Sequence, residues 1–344
     1  MGGGHKMSKV TMQDIAVLSG TSRVTVWKVL NKHSGVSDAV SKKVLDAAAE
    51  LGYGTGKITI SAQPAEEEKT VSLIVSRPDS SMFWSNIIHR LAQELELHHV
   101  RLLYTYVPSA YSEGYALPST LTNGNISGAI ILNLYDAGMI SLVNKLPFPK
   151  VFLDTVPEIG NRPLHGDLLL IEGYHSVYDI TAFVLNNGCK KVGFLGDIHY
   201  ASTNADRYLG FRKCLEDHHI NLDERYCLTE RIDIYSYHEV IFRFLNALPE
   251  MPEAFVCVSD YIAHFVHLYL TEHPERIPNG IILTGFDGNR EYSNIDGLLT
   301  TAKVRTDLLG KRLSGQIMYR MENKDAPYEL TYIQPELIYR DSRI

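Results

Sequence analysis

Gly20-Thr21-Ser22-Arg23-Val24-Thr25-Val26-Trp27-Lys28-Val29-Leu30-Asn31 decides how the start of the chain folds. Gly20 supplies a turn, Ser22 is a helix-capping hydroxyl, and Val26, Val29 and Leu30 recur at helical spacing, facing inward. A turn followed by a short helix is the expected structure. Working back, Thr11 caps an earlier helix whose apolar stripe is Ile15, Ala16 and Leu18, broken at Ser19-Gly20-Thr21. Working forward, Asn31-Lys32-His33-Ser34-Gly35 reads as a loop. Ser37 then caps a third helix with Val40, Val44, Leu45, Ala48 and Leu51 on one face, stopped by Gly52.

Two short helices joined by a tight glycine turn suit helix-turn-helix geometry. A second helix laid in the major groove turns Arg23, Val24, Trp27 and Lys28 outward, Arg23 toward guanine edges and Val24 toward a thymine methyl. Thr11, Ser22, Thr25, Asn31 and Ser37 fall at helix ends or turns, where hydroxyls and amides meet phosphate. Charge runs the same way. Residues 1–60 hold eight Lys and Arg against four acids, a net +4, so the remainder carries −11 of the overall −7. A basic segment on an acidic body fits a polyanion-binding module joined to one that binds something else.

At 344 residues the chain predicts two domains or three, and 45% apolar with 21% charged residues excludes disordered, collagen-like and coiled-coil classes. Cys189, Cys214, Cys227 and Cys257 lie far apart without a CxxC pair, so neither zinc nor a disulfide framework is expected, and a reducing compartment is. No apolar run reaches the roughly 18 residues of a membrane helix. Residues 1–6 lack an apolar core, so they read as a tag remnant rather than a signal peptide, with Met7 the expected natural start. The expected location is cytoplasmic.

Beyond Val71, strand-like runs at 71–76, 101–107, 128–134, 150–154, 191–196, 254–259 and 281–286 alternate with helical patterns such as 84–97, 174–186, 207–218, 237–248 and 261–273. This alternation predicts parallel sheets covered by helices, divided into two lobes, with ligand at the carboxyl ends of the strands. At or near those ends stand Phe83, Trp84, Asn133, Asp154, Arg207, Asp260 and Asp287. Carboxylates, an amide, an arginine and aromatic faces are the means of holding a polyol or sugar.

Val10-Thr11-Met12-Gln13-Asp14-Ile15-Ala16, the stretch from Gly20 to Asn31, Val36-Ser37 and Ala49-Glu50-Leu51-Gly52-Tyr53 closely resemble the headpiece of the lac repressor family. The resemblance implies that Arg23, Val24 and Lys28 read bases and that Thr11, Ser22, Thr25, Asn31 and Ser37 touch the backbone. Trp27 and Tyr53 complete the expected DNA-binding set. Relatives carry a small hydroxyl residue where this chain has Trp27. They also follow the headpiece with a hinge helix whose leucine wedges into the minor groove. Here Ala62 takes that place, β-branched residues disfavour helix and Pro64 ends it, which leaves Ile58 or Ile60 as the alternatives.

The body is similar to the same family, whose effector domain is in turn similar to periplasmic sugar-binding proteins. The marks are Val151-Phe152-Leu153-Asp154, Arg207-Tyr208-Leu209-Gly210, Val258-Ser259-Asp260, Thr284-Gly285-Phe286-Asp287 and Leu299-Thr300-Thr301. The resemblance implies that Phe83, Trp84, Asn133, Asp154, Arg207 and Asp260 are effector positions, Arg207 and Asp260 most firmly, with Asp287 either a contact or a loop stabiliser. Departures include Glu172-Gly173 for the usual Asp-Asn, Gly188-Cys189 for Gly-His, Val304 for a pocket glutamine and Ile234 near a stacking aromatic.

The expected fold is therefore an all-α helix-turn-helix headpiece at 9–56, after a terminal remnant at 1–8. A linker at 57–69 leads to an α/β two-lobe periplasmic-binding-protein-like domain at 70–344, with two parallel sheets flanked by helices. The function implied is a homodimeric repressor that binds operator duplex DNA under control of a small carbohydrate, without cofactor or membrane. A sugar-binding transport protein and a sugar-modifying enzyme are the alternatives.

Enzymatic signatures are absent from the sequence. Gly124-Asn125-Ile126-Ser127-Gly128 has the wrong spacing for a nucleophile elbow, and no HExxH occurs. Gly52-Tyr53-Gly54-Thr55-Gly56-Lys57 fails as a phosphate loop, because Leu51 and Ile58 stand where Gly and Ser or Thr belong. His264 and His267 could share a metal on one helix face but lack an evident carboxylate third ligand. His98-His99 and His218-His219 read as solvated helix ends.

Overall fold

The computed structural model describes residues 10–31, 33, 35–51, 53, 69–77, 81–159, 163–277, 279–340 and 343. The remnant at 1–8 and the linker through residue 68, with Ile58, Ile60, Ala62 and Pro64, lie outside the described residues. The chain divides into two compact units, Met1–Glu66 and Glu67–Ile344.

The smaller unit is three helices, α1 (Met12–Ser19), α2 (Arg23–Leu30) and α3 (Asp38–Glu50). The Asp14 carboxylate accepts the Thr11 amide (2.7 Å) and hydroxyl (2.8 Å), which fixes the entry to α1. Gly20 ends α1 at φ 66°, a left-handed conformation glycine adopts without strain. Ser22 then caps α2, its hydroxyl accepting the Thr25 amide at 3.1 Å. Ile15, Ala16, Val26, Val44, Ala47 and Ala48 are buried together, with Met12, Val29, Leu30, Leu51 and Tyr53 packed against them. Two expected core residues point outward instead: Leu18 is 45% exposed and Leu45 53%. At 100° per residue the buried stripe of α1 runs 12-15-16-19 and that of α3 runs 40-44-47-48-51, so positions 18 and 45 fall outside both.

In the larger unit, β1 (Thr70–Val75), α4 (Met82–Leu97), β2 (Arg101–Tyr106), α5 (Ser119–Thr122), β3 (Gly128–Leu132), α6 (Ala137–Asn144), β4 (Lys150–Leu153) and β5 (Asp167–Ile171) build the first lobe. The chain crosses to form α7 (Tyr174–Asn186), β6 (Val192–Leu195), α8 (Ser202–Asp217), β7 (Cys227–Leu228), α9 (Tyr237–Ala247), β8 (Ala254–Cys257), α10 (Asp260–Glu272), β9 (Ile282–Asp287) and β10 (Thr300–Lys303). It returns through α11 (Thr306–Glu322) and β11 (Leu330–Ile333), then crosses again into β12 (Glu336–Ile338). The sheet orders are β11-β5-β4-β3-β1-β2 and β12-β10-β9-β8-β6-β7. Every pairing is parallel except β10 with β12.

Both sheets are covered on two faces, which is why β1, β3, β4 and β8 are near-continuous apolar runs. Three crossings join the lobes, at 172–173, 304–305 and 334–335, each two residues long. The first and third are tied together, the Glu172 amide donating to the Ile333 carbonyl at 2.9 Å. The returning segment is anchored by a buried ion pair. Arg320 Nε and Nη2 donate to the two carboxylate oxygens of Asp167 at 3.0 and 2.5 Å, with side chains 1% and 0% exposed. Asp167 also accepts the Glu329 amide and the Gln316 side chain, and Arg320 reaches the Ala326 and Pro327 carbonyls.

Candidate functional site

On the smaller unit, α2 buries Val26 and leaves Arg23, Val24 and Trp27 exposed and Lys28 half-buried on its other side. Thr11, Ser22, Asn31 and Ser37 are exposed at helix ends, and Thr25 is half-buried with its hydroxyl 2.9 Å from that of Ser22. Tyr53 is placed differently, packed against the three-helix core. The Asn31 amide group is turned back to the Trp27 carbonyl at 2.9 Å.

In the larger unit, a cavity of about 620 Å³ opens between the lobes at the carboxyl ends of both sheets. Six of the seven expected effector residues line it: Phe83, Trp84, Asn133, Asp154, Arg207 and Asp287. Among the described residues five non-glycine positions have left-handed φ, and three are in this group: Asn133 (50°), Asp154 (66°) and Asp287 (101°). Asn133 and Asp154 directly follow β3 and β4, and Asp287 ends β9. Backbone strain at three strand ends, converging on one space, is the usual mark of a site that positions side chains for a ligand. The other two, His99 and His219, end α4 and α8 as solvated histidine pairs should.

Arg207 sits at the centre. It is 5% exposed, donates from Nη1 to the Val258 carbonyl at 2.7 Å and lies 3.6 Å above the Phe286 ring, while its Nε has no hydrogen-bond partner among the described residues. Gly173 makes that position possible, since a Cβ there would stand 2.7 Å from Arg207 Cγ. Glu172 in turn caps α7, accepting the His175 and Ser176 amides at 2.7 and 3.0 Å.

Asp154 accepts the Thr155 amide (2.7 Å) and, from across the cleft, the Thr203 hydroxyl (2.5 Å). Burial pushes its carboxyl up to about 6, opposed by those bonds and by Arg207. Burial also pushes Asp287 up to about 6, Arg207 again opposing. The same burial lowers Arg207 from its ordinary range, with Asp287 and Asp154 pulling it back. Other links between the lobes are the Met82 amide on Glu291 (3.1 Å), the Ser202 amide on the Thr155 carbonyl (2.8 Å) and an Arg231–Glu158 ion pair.

Asp260 does not line this cavity. Its side chain opens α10 but turns back, accepting the Asn289 amide at 2.7 Å and the Thr301 hydroxyl at 2.8 Å. Burial and Asp287 push its carboxyl up to about 8. Gly285 leaves room for it, as a Cβ there would lie 2.0 Å from Oδ1. Asp260 thus holds the loop that brings Asp287 and Asn289 into the cavity. Its loop-side carboxylate has the same residue type and strand-end position as a ligand contact, which is why the two roles read alike in sequence.

Seven tyrosines absent from the expected effector set also line the cavity: Tyr106, Tyr135, Tyr200, Tyr235, Tyr237, Tyr261 and Tyr292. The rings of Tyr135 and Tyr200 meet across the cleft at 4.4 Å, and Tyr200 also takes Arg77 at 5.2 Å. Twenty tyrosines in the chain gave a signal in composition but none in position. Ile234 lines the cavity where an aromatic was missed, with Tyr235 and Tyr237 beside it. His264 and His267 share Asn294, at 2.6 and 3.1 Å, and among the described residues no group of three or more metal-binding side chains forms. No helix among them is long and apolar enough to cross a membrane.

Residues 11–55 match the family described as bacterial regulatory proteins, lacI family, and residues 181–343 match the periplasmic binding protein-like domain. The chain is 26% identical over 349 residues to the HTH-type transcriptional repressor PurR of Mannheimia succiniciproducens, covering 96% of this chain and 98% of that protein. It is 26% identical over 340 residues to the HTH-type transcriptional regulator RegA of Clostridium saccharobutylicum, covering 97% and 99%. Among solved structures, a transcriptional regulator CelR–cellobiose complex superposes with TM-score 0.67 at 18% identity, covering 97% and 99% of the two chains. A lac repressor dimer bound to operator and the anti-inducer ONPF superposes with TM-score 0.66 at 20% identity, covering 97% and 98%.

Proposed function

Because the chain belongs to the lacI family of bacterial regulatory proteins, we propose that it is a cytoplasmic repressor whose grip on operator DNA is set by a small neutral carbohydrate. The observation that carries the effector half is the convergence of Asn133, Asp154, Asp287 and Arg207 in a cleft walled by aromatic rings. Carboxylate, amide and guanidinium pair with adjacent hydroxyls, while ring faces take the apolar side of a sugar. In this reading the ligand leaves unchanged, and the protein is not an enzyme. Two copies act together, since one small headpiece covers too little duplex for operator-level affinity and two half-sites gain by linkage. Sugar binding and DNA binding are coupled by about 1–3 kcal/mol, which is roughly 5–150-fold in operator affinity.

The test uses a duplex recovered by the full-length protein from a randomised pool, at fixed salt, with and without a panel of pentoses, hexoses and disaccharides. Lys28→Ala weakens that duplex about tenfold, the loss of roughly one charged contact, and leaves sugar-induced thermal stabilisation as in the wild type. Equal DNA affinity of Lys28→Ala and wild type under stringent competition overturns the assignment of α2 as the reading helix. Failure of any sugar to change duplex affinity overturns the effector reading.

Acidity supplies an independent check. An ionised carboxylate accepts hydroxyl protons and a protonated one gives up half of that capacity, so sugar affinity rises between pH 5 and 7.5 as Asp154 and Asp287 ionise near 6. Stability without sugar moves the opposite way. Both groups bind protons more tightly folded than unfolded, so their contribution is greatest below about pH 4 and is lost as pH rises through 6. Calorimetric titration across that range checks the first slope, and melting curves the second. Asp287→Asn makes both slopes shallower, leaving the share of Asp154.

A further inference from the structure

We propose that Trp27 and His33 form a preassembled aromatic platform that contacts the duplex and sets part of the half-site preference, a proposal that rests on the DNA-binding reading above. Val26 is fully buried and Val29 and Leu30 pack on the same core, so helical geometry puts positions 23, 24, 27 and 28 on the opposite side. There Trp27 is 45% exposed beside Val24 at 64%. Large apolar groups left in water give up the stabilisation of burial, and this pair stands between Arg23 and Lys28. An apolar surface between two cations suits a groove wall made of sugars and thymine methyls, rimmed by phosphate.

The platform is built before DNA arrives. The imidazole of His33 stacks on the indole with centroids 4.7 Å apart and planes at 17°. The turn that places it is held by the His33 amide on the Lys28 carbonyl (2.9 Å) and by both the backbone and side-chain amides of Asn31 on the Trp27 carbonyl (3.0 and 2.9 Å). Little rotamer freedom is then left to lose on binding. The indole N–H is a donor only, and the imidazole adds a second ring donor, so both suit phosphate oxygen or base acceptors. Relatives place a small hydroxyl where the indole stands, so the platform gives this chain a wider contact than theirs.

The probe is again the duplex that the wild-type full chain selects. Trp27→Ser weakens its binding about tenfold and relaxes the preference at one or two base positions in a repeated selection. His33→Ala weakens it about threefold, and Trp27→Phe falls between Ser and wild type. Indole emission of the wild type drops on saturation with the duplex. That of Trp27→Ser, which retains Trp84, stays flat at the same bound fraction. Circular dichroism establishes that the variants keep their helices, and His33→Ala carries the test should Trp27→Ser lose them. Unchanged affinity and base preference in Trp27→Ser and His33→Ala, with the wild type binding, overturn the platform alone. A wild type that selects no duplex overturns the DNA-binding reading and the platform with it.

Discussion

Asp167→Ala destabilises the larger unit by about 3–5 kcal/mol, the largest effect expected of any single substitution away from the cleft. The wild-type carboxylate accepts bonds from Arg320, Gln316 and the Glu329 amide at a site with no solvent access. Truncation leaves the guanidinium buried without a counter-charge and frees the Glu329 amide at the start of β11. For a unit of this size the melting temperature falls by roughly 5–9 °C. The double variant Asp167→Leu with Arg320→Met recovers most of the loss, because no charge then remains inside. Thermal melts of the full-length single and double variants check both statements. A double variant no more stable than Asp167→Ala would show that shape, rather than charge pairing, dominates this site.

Arg207→Ala abolishes sugar binding within the accessible range, a loss of about 100-fold or more, while operator binding persists and no longer responds to sugar. Three effects add up. The ligand loses a charged double donor, the Phe286 face loses its cation, and the Asp154 and Asp287 carboxyls lose the positive charge that opposes their burial. Arg207→Lys does not restore binding, since an ammonium cannot hold the Val258 carbonyl and a hydroxyl pair with one planar group. Calorimetry with the best sugar of the panel, alongside a gel shift, measures both halves. Retained sugar affinity in Arg207→Ala would remove the guanidinium from the centre of the site.

The helices of the small unit and the strands 71–76, 101–107, 128–134 and 150–154 were legible because both signals are local: capping hydroxyls and glycine turns for the former, short stretches rich in apolar and β-branched residues for the latter. The strands β5, β7, β10, β11 and β12 were not. Thr300-Thr301-Ala302-Lys303 is polar in composition yet buried over three residues, since β9 and β12 pair with its backbone while the Arg340 carbonyl and the Asp260 carboxylate accept the two threonine hydroxyls. β11 and β12 lie at sheet edges with no fully buried residue, where short strands resemble loops. Asn133, Asp154 and Arg207 could be named from strand ends and motif resemblance. The separation of Asp287 from Asp260 could not, because it depends on which way a loop folds over one carboxylate. The tyrosine walls come from segments far apart in sequence and are visible only once the two sheets face each other.

The three two-residue links between the lobes carry a mechanical consequence. They are too short to let one sheet slide past or pull away from the other, and each passes directly from a strand end to the next strand or helix start. Two plates joined by such straps along one line keep rotation about that line as their soft motion. Under the proposed function, a sugar that contacts Asp154 on one plate and Arg207 on the other would therefore favour one angle between them. A stiffening substitution in a strap, such as proline at 304, is expected to blunt the response to sugar more than the binding of it, because Val304 donates its amide to Asp287 where the two plates meet.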